Sequence, residues 1–464
     1  MSGQSDKTLF PPDAARRQRS RGGNVPIASL AILIVVAALC GGGGVRYGLL
    51  NLCVQMTALF AMAINRDAVL GFWAGAPASL RIGAALTISL PLLQLVPLPP
   101  SFWTQLPGRD LVVQSLELTG QVGWRPLSVD PIRTLVAATG LIAPVAILEI
   151  GWRIERSRLF ALAWLVVGLA VAQLFVGMPQ LLNPQSGASL YDVASQNGAL
   201  RGLFANRNST GLFLVIALAL TVSIPLPGRH RAHLPVRVMT ALLLIIAIIL
   251  TRSRSAFVLM AIPILLALSQ AFIWWRGSKT AKISGANTST SRWAIGIAAL
   301  GLLLSAMALA TSSGRISDTL ERFDASSDAR AYIWEDAAYS ASRYAPIGAG
   351  MGTFDEVFQI DESLEHLTDR RAGRAHNDYI ELTIEAGVLG LGLMALWLSL
   401  IGWWAWRSRG SDHRFAAFGA TAALLAIALQ SAVDYPLRNQ TMLVTVAFLI
   451  VVLGQCAVNS ERAK

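Results

Sequence analysis

Twelve long apolar runs recur along this chain of 464 residues, and they leave few folds open to it. Most of them approach the roughly 20 residues that an α-helix needs to cross a hydrocarbon core of about 30 Å. A helix also satisfies its backbone hydrogen bonds internally, as the interior of a bilayer requires. We therefore predict an all-α integral membrane protein with about 12 transmembrane helices. The predicted spans cover residues 26–40, 47–64, 79–96, 132–150, 158–178, 209–226, 237–251, 255–275, 293–311, 384–406, 415–433 and 440–457.

Positive charge is distributed unevenly among the loops between these runs. The chain carries 38 Lys and Arg against 27 Asp and Glu, a net charge of +11. Lys and Arg collect in cytoplasmic loops of membrane proteins, so this excess indicates topology. With the N-terminus inside, every basic cluster falls in an alternate loop, and both termini are cytoplasmic. The clusters are Lys7–Arg21, Arg153/Arg156/Arg158, Arg229/Arg231/Arg237, Arg276/Lys279/Lys282/Arg292 and Arg407/Arg409/Arg414. No aromatic-basic pattern suited to nucleic acid accompanies them.

The longest loop covers residues 312–383, between spans 9 and 10, and holds 14 acidic and 7 basic residues. Ser326-Ser327-Asp328 predicts the cap of a helix from Ala331 to Ser342. The glycines of residues 346–352 predict turns. A loop this long with its own structure is usually functional. The predicted parts of the chain are a disordered cytoplasmic tail (1–25), transmembrane helices 1–9 (26–311), a large, partly helical periplasmic loop (312–383), transmembrane helices 10–12 (384–458) and a cytoplasmic tail (459–464).

Arg374-Ala-His-Asn-Asp-Tyr-Ile-Glu-Leu382 ends this loop at the start of an apolar run. Its His376 is either a general base, since imidazole accepts protons near neutral pH, or a residue that satisfies a helix end. Both interpretations stay open. Asp378 is expected to cap the helix and Glu381 to pair with an arginine. The other histidines are expected to be solvated: His366 in the acidic part of the loop, and three in cytoplasmic loops, His230, His233 and His413.

Five arginines are predicted near the membrane on the side that should be poor in positive charge. They are Arg201, Arg207, Arg252, Arg254 and Arg374. One interpretation is that their side chains extend to lipid headgroups. The other is that they hold an anion, because guanidinium groups match phosphate oxygens in bidentate fashion. A diphosphate whose lipid tail stays in the bilayer fits the second interpretation.

Several signatures of metal or nucleotide chemistry are missing from the sequence. It contains no Asp-X-Asp, no Gly-rich phosphate loop and no His-Glu-X-X-His. Cys40, Cys53 and Cys456 lie in apolar runs, as small buried hydrophobes do, and indicate neither a disulfide framework nor a zinc site. We therefore expect no metal and no cofactor, and a metal-dependent sugar-nucleotide transferase is disfavoured.

Short motifs in a fixed order resemble those of one family. They are Pro126-Leu-Ser-Val-Asp-Pro131, Gly202-Leu-Phe-Ala-Asn-Arg-Asn208, Thr251-Arg-Ser-Arg-Ser-Ala256 and, in the large loop, Arg330-Ala-Tyr-Ile-Trp334, Pro346-Ile-Gly-Ala-Gly-Met-Gly-Thr-Phe354 and His376-Asn-Asp-Tyr-Ile-Glu-Leu382. With them, about residues 120–455 resemble the O-antigen ligase and O-antigen polymerase superfamily of bacterial envelope membrane proteins.

The resemblance implies glycan transfer from an undecaprenyl-diphosphate carrier to a hydroxyl acceptor, without metal, at the periplasmic face of the inner membrane. The family's outer histidine matches His376, and its essential arginines match Arg254 and Arg207. Weaker matches for diphosphate binding are Arg374 and Arg330. Supporting residues in the matched motifs are Asn206, Asn208, Asn377 and Asp378. Some ligases carry two adjacent histidines where this chain has Ala375 and His376, so the choice between ligase and polymerase stays open.

The acceptor and the rival functions also stay open. The acceptor is another glycan, a lipid A core or a protein, and the last would make the chain a protein O-oligosaccharyltransferase. A chain-length regulator is a further candidate partner. The rival from another class is a transporter or flippase of lipid-linked glycans. Transporters place ionisable residues within their spans, whereas these spans are almost free of them and charge collects at one face.

The predicted topology is tested with reporter fusions. A reporter joined near Asp361 should give a periplasmic signal, and one near Lys279 a cytoplasmic signal. The basic residues around Lys279 favour the cytoplasmic side for that loop. Reporter activity in whole cells measures both. The opposite pair of signals would place His376 in the cytoplasm and remove it from the carrier-facing side.

Overall fold

The computed structural model describes residues 12–182, 190–191, 198–226, 233–280, 330–367 and 371–458. Most of these residues are helical. The helices are α1 Pro12–Cys40, α2 Gly48–Ile64, α3 Arg66–Gly75, α4 Ala78–Leu93, α5 Pro100–Trp103, α6 Asp110–Leu118, α7 Pro131–Gly140, α8 Ile142–Gly151, α9 Arg156–Leu182, α10 Arg207–Ser223, α11 His233–Leu250, α12 Arg254–Leu259, α13 Ala261–Thr280, α14 Arg330–Tyr344, α15 Phe354–Asp361, α16 Asp378–Arg407, α17 Arg414–Ser431 and α18 Gln440–Val458. Strands β1 Pro97–Leu98 and β2 Arg125–Pro126 pair antiparallel.

The helical class of the chain, with several helices capable of crossing a membrane, is confirmed. Within the described ranges, eight helical segments are long and apolar enough to cross a membrane, or up to nine if the bent pair α2–α3 is one span. The number twelve stays a prediction, because the span predicted at 293–311 lies outside the described residues. The spans predicted at 79–96 and 209–226 correspond to the shorter apolar helices α4 and α10.

Two local features of the spans differ from the predictions. The run predicted as a span at 47–64 continues through an 81° bend into α3, which was not predicted. The predicted span at 255–275 begins with the short helix α12, which ends at Leu259 before α13 begins at Ala261. Neither feature changes the all-α class. Each shows that an apolar run locates a candidate span but does not reveal where its helix bends or is interrupted.

The core of the bundle forms around α10, which is buried along almost its whole length and packs against α9, α11 and α17. Small residues allow the closest of these approaches. A Cβ added at Gly419 of α17 would lie 1.7 Å from Ser223 Oγ of α10. Close packing of small residues is a main source of attraction between helices in a membrane, where lipid and side chains are equally apolar.

Part of the predicted large loop folds into a second, smaller core. Helix α14 spans Arg330–Tyr344, so the predicted helix at Ala331–Ser342 is confirmed, while its predicted cap at 326–328 lies outside the described residues. Phe354 and Phe358 of α15 stack, and with Tyr344 and Ile384 they join this core. It therefore ties the loop to the beginning of α16.

The turns predicted at 346–352 are confirmed, because Gly348, Gly350 and Gly352 all have positive φ angles. These turns donate hydrogen bonds to α16, which is interrupted at Gly387 (φ 55°, ψ −142°). The interruption frees carbonyl groups that a helix would use. The backbone N–H of Ala349 donates to Ile384 O at 2.8 Å, and that of Gly350 donates to Glu385 O at 2.9 Å. A helix break near a membrane needs such replacements, because no water is there to supply them.

Two further residues fasten this loop to the rest of the outer layer. Gln94, at the end of α4, donates from Nε2 to Glu385 O and accepts from Met351 N. Arg109 is buried and donates to Leu127 O and Gly348 O. Burial lowers the pKa of Arg109 to about 10. The segment between α4 and α7 therefore braces the glycine turns from the other side.

Replacement of Gly387 tests the break. A Cβ at Gly387 would lie 1.9 Å from Pro346 O, and the positive φ adds strain, so Gly387→Ala should lower stability by at least about 1–3 kcal/mol. The matched control is Gly392→Ala in the same helix, where a Cβ meets nothing within 4 Å and the change should be neutral or stabilising. Thermal unfolding of the detergent-solubilised protein measures both. Equal melting temperatures would show that the interruption is not required.

Candidate functional site

His376 is held in an uncommon backbone conformation just before α16. Its φ of 52° is left-handed, which costs about 1 kcal/mol or more for a residue other than glycine. Contacts to the residue before it hold it there. Ala375 N donates to Glu381 Oε1 at 3.0 Å, and Trp334 Nε1 donates to Ala375 O at 2.8 Å. Helix α14 therefore fixes the backbone that carries the imidazole.

The cap of α16 is Asn377, so the expectation that Asp378 caps the helix was wrong. Asn377 Oδ1 accepts from Tyr379 N and Ile380 N, and its Nδ2 donates to Ala432 O. An amide can make bonds of both kinds, whereas a carboxylate only accepts. Asp378 already lies inside the helix, where its Oδ2 accepts from Ser431 Oγ at 2.9 Å.

Asp434 orients His376, a role that the sequence alone did not indicate. Its Oδ1 lies 3.2 Å from His376 Nδ1, and its Oδ2 accepts from Asn206 Nδ2 at 3.2 Å. Burial would raise the pKa of Asp434, but the hydrogen bond and charge of His376, with Asn208 and Arg330, lower it below its usual value. An ionised carboxylate only accepts, so a proton lies on Nδ1, and in the neutral form of the ring Nε2 presents the lone pair.

Tyr435 supports the ring of His376 from the side. The two ring centroids lie 4.9 Å apart in an edge-to-face arrangement. Burial raises the pKa of Tyr435 to about 12, so its hydroxyl stays protonated at neutral pH. Asp434 and Tyr435 could have been recognised from the sequence. They place an acidic residue next to an aromatic one at the end of the predicted span 415–433, on the same side as His376.

The motif segments meet through side chains that cap helices. Asn206 caps α10, and its amide also reaches Asp434. Ser253 caps α12 and donates to Asn208 Oδ1 at 2.9 Å. The segments 202–208, 251–256 and 376–382 thus converge on one place. Segment 126–131 joins through Val129 N, which donates to Ala349 O.

Two glutamines of α9 hold the turn that leads into α10. Gln173 Oε1 accepts from Leu203 N at 2.6 Å, and Gln180 Oε1 accepts from Gly202 N at 3.0 Å. Gly202 has a φ of 56°, and a Cβ there would lie 2.1 Å from Gln173 Oε1. Both glutamines are buried and lie seven residues apart on one helix face. They position the backbone from which Arg201 and Arg207 project.

A cavity of about 1690 Å³ opens beside His376. Among the predicted residues, those that line it are Arg207, Arg330, Arg374, Asn206, Asn208 and Asp378. Asn377 and Arg254 are not part of the lining, although Arg254 directly follows the Ser253 that bonds Asn208. The lining arginines that the sequence did not indicate are Arg46, Arg133 and Arg438. Arg201, one of the five arginines for which anion binding was left open, lines the cavity as well. His376 is the one histidine among the lining residues that the structure describes.

Arg438 lies at the centre of a buried charge network. Its Nη1 is 2.8 Å from Glu385 Oε2, and its Nε is 3.1 Å from Glu381 Oε2 and 3.4 Å from Asp378 Oδ1. Arg374 Nη1 also binds Glu381 Oε2, at 3.0 Å, so the expected pairing of Glu381 with an arginine is confirmed. Burial by itself lowers the pKa of Arg438, but the three carboxylates together raise it above its ordinary value.

The cavity lies at one end of the helical bundle, away from the basic loops. Many lining residues come from α7 and from the beginnings of α2, α10, α16 and α18. The far end of α8, which continues α7, leads to Arg153, Arg156 and Arg158, and the far end of α16 leads to Arg407 and Arg409. Within the described ranges, no group of three His, Cys, Asp or Glu side chains is placed to hold a metal ion.

These features define a multi-pass helical membrane protein with a histidine–carboxylate pair and several arginines around one cavity at an end of the bundle. A family model described as O-Antigen ligase matches residues 239–395, about a third of the chain. The match confirms the resemblance to the O-antigen ligase and polymerase superfamily. It includes His376, Arg330 and Arg374, and it ends before Asp434. A search of curated proteins finds no match to the chain.

The charge network is tested by removing its cation. Arg438→Met would leave three carboxylates buried without it and should destabilise the fold by about 3–5 kcal/mol. Adding Glu385→Gln should recover part of the loss. The control is Arg133→Met, whose ion pair with Glu356 is 42% and 28% exposed and should cost less than about 1 kcal/mol. Denaturant unfolding in detergent compares them, and an Arg438→Met protein as stable as wild type would contradict the network's role.

Proposed function

We propose that this protein transfers a glycan from an undecaprenyl-diphosphate carrier to a hydroxyl acceptor, at the periplasmic face of the inner membrane and without a metal ion. The observation that carries the proposal is His376, paired with buried Asp434, at the wall of a cavity that arginines also line. The family match supports glycan transfer of the O-antigen ligase type. The opposite placement of the cavity and the basic loops supports the periplasmic face.

In the proposed reaction His376 acts as the general base. The acceptor hydroxyl donates its proton to Nε2 as its oxygen attacks the anomeric carbon of the donor. The bond between that carbon and the diphosphate oxygen breaks, and its electron pair leaves with the diphosphate. Asp434 stabilises the imidazolium that forms, as the carboxylate of a catalytic triad does. A single displacement of this kind inverts the configuration of the anomeric carbon.

The arginines would stabilise the charge that grows on the leaving oxygen. Arg207, Arg330 and Arg374 line the cavity with His376. Guanidinium groups that are already in place cost no reorganisation during the reaction, and they act more strongly where water is excluded. Glu381 holds Arg374 at 3.0 Å and so limits its freedom. A contact between Arg254 and the diphosphate stays a prediction from the family resemblance.

Two substitutions test the base and its orienting carboxylate. His376→Ala should abolish transfer, and His376→Asn, which tolerates the left-handed backbone better, should lower it by roughly 10²–10⁴-fold. Asp434→Asn keeps the shape but permits the wrong imidazole tautomer, so it should lower transfer by up to about 10⁴-fold. The measurement is glycan transfer in a deletion strain that carries each variant, with lipid-linked intermediates extracted in parallel.

The matched control is His413→Asn. His413 lies at the opposite end of the bundle, before α17, where it packs against Phe160. The His413→Asn protein should transfer glycan as the wild type does. Normal glycan in His376→Asn cells at normal protein level would exclude the general-base role.

The deletion strain separates the remaining alternatives: single repeat units on the carrier indicate a polymerase, and long chains on the carrier indicate a ligase. An unchanged carrier pool indicates protein glycosylation or transport.

A further inference from the structure

The cavity has two walls with different charge. One wall consists of the segment 41–48 and the turn 201–208, joined by the hydrogen bond from Ala205 N to Gly42 O. It contributes Arg46, Arg201 and Arg207 to the cavity, and none of the lining residues described in these two segments is acidic. We call it the cationic wall. Its charge is what a diphosphate requires.

The other wall consists of α7, the start of α15 and Gly373. Thr134 Oγ1 donates to Met351 O at 2.9 Å and holds its two main segments together. This wall presents Asp355 and Arg133 to the cavity. Each is half of an ion pair: Asp355 binds Arg371 Nε at 2.8 Å, and Arg133 Nε binds Glu356 at 2.7 Å. We call it the mixed wall.

The mixed wall is poorly suited to a diphosphate. The carboxylate of Asp355 would repel it, and the charges of Arg133 and Arg371 are already matched by acidic partners. It is well suited to a sugar, whose hydroxyl groups carry no net charge and both donate and accept hydrogen bonds. Asp355 offers acceptor oxygens, and Arg133 offers N–H donors beyond the one used by Glu356.

We propose that the mixed wall binds the acceptor sugar, with Asp355 and Arg133 positioning the hydroxyl that His376 deprotonates. The inference rests on the proposed function and adds a division of the cavity to it: donor diphosphate on the cationic wall with Arg330 and Arg374, acceptor glycan on the mixed wall. His376 lies between them, because its partner Asp434 bonds Asn206 of the cationic wall while Gly373 of the mixed wall precedes it by three residues.

Two glycines allow each wall to be filled separately. A Cβ at Gly373 would meet only Asp355 Oδ1, at 3.8 Å, and a Cβ at Gly48 of the cationic wall would meet nothing within 4 Å. Neither glycine has the positive φ that disfavours other residues. Gly373→Leu and Gly48→Leu therefore place matched side chains in opposite parts of the cavity with little demand on the fold.

The experiment measures donor and acceptor binding separately. Purified protein in liposomes receives host lipid-linked glycan as donor and, as acceptor, soluble oligosaccharides released from the host envelope by mild acid. Binding of geranylgeranyl diphosphate, which carries the donor's leaving group, is measured by calorimetry. Gly373→Leu should raise the acceptor KM about tenfold or more and leave the binding of geranylgeranyl diphosphate unchanged. Gly48→Leu should weaken that binding and leave the acceptor KM unchanged.

Asp355→Asn provides a second test that adds no bulk. It should raise the acceptor KM without changing the affinity for geranylgeranyl diphosphate, because it removes a charge from the mixed wall and adds no side-chain volume. An unchanged acceptor KM in both Gly373→Leu and Asp355→Asn would overturn the division, as would weaker geranylgeranyl diphosphate binding in either. A wild-type protein that neither binds geranylgeranyl diphosphate nor transfers glycan would instead overturn the proposed function itself.

Discussion

Arg438 lies where three carboxylates of one helix converge. Asp378, Glu381 and Glu385 share a face of α16, and the arginine comes from the turn between α17 and α18. Charges removed from water must be paired, so this contact fixes the turn against the helix start. His376 precedes that helix and Asp434 belongs to that turn. Their separation of 3.2 Å is therefore set by the network behind them.

Side chains that both donate and accept hydrogen bonds connect further segments to this site. Asn206, Asn208 and Asn377 each satisfy a backbone or hydroxyl group of another segment or of their own helix cap. Amides can serve two neighbours at once, which suits places where several segments of the chain end together. Segments far apart in sequence thus reach one site through these hydrogen bonds.

The sequence was informative where a property is local. Apolar runs indicated the membrane class, and the helix at 330–344 with the turns at 346–352 followed from capping and glycine signals. His376 was recognisable because an imidazole at a membrane boundary is uncommon. Asp434 and Arg438 were not, since a charged residue at a span end has no visible partner until the helices are packed. Their partners lie more than 50 residues away in sequence.

Some errors have a physical cause of their own. Asp378 was expected to cap α16, but the cap falls to Asn377, whose amide satisfies two helix N–H groups and still reaches Ala432 O. The bend between α2 and α3 follows Ile64, and no proline or glycine in the sequence there indicates it. The break at Gly387 was hidden as well, because glycine is common in transmembrane helices and signals a break only when another segment fills the gap.

The interruption at Gly387 also divides α16 into two parts of different length. From Val388 to Arg407 the helix is about 20 residues long, which corresponds to about 30 Å, the thickness of a hydrocarbon core. The turns before the break are thus not needed to cross the bilayer. A span that begins at Val388 would leave these turns, with their three carboxylates, in the headgroup layer. Their cost is then the cost of burial in protein, which Arg438 offsets, and the full penalty of charge in hydrocarbon is avoided.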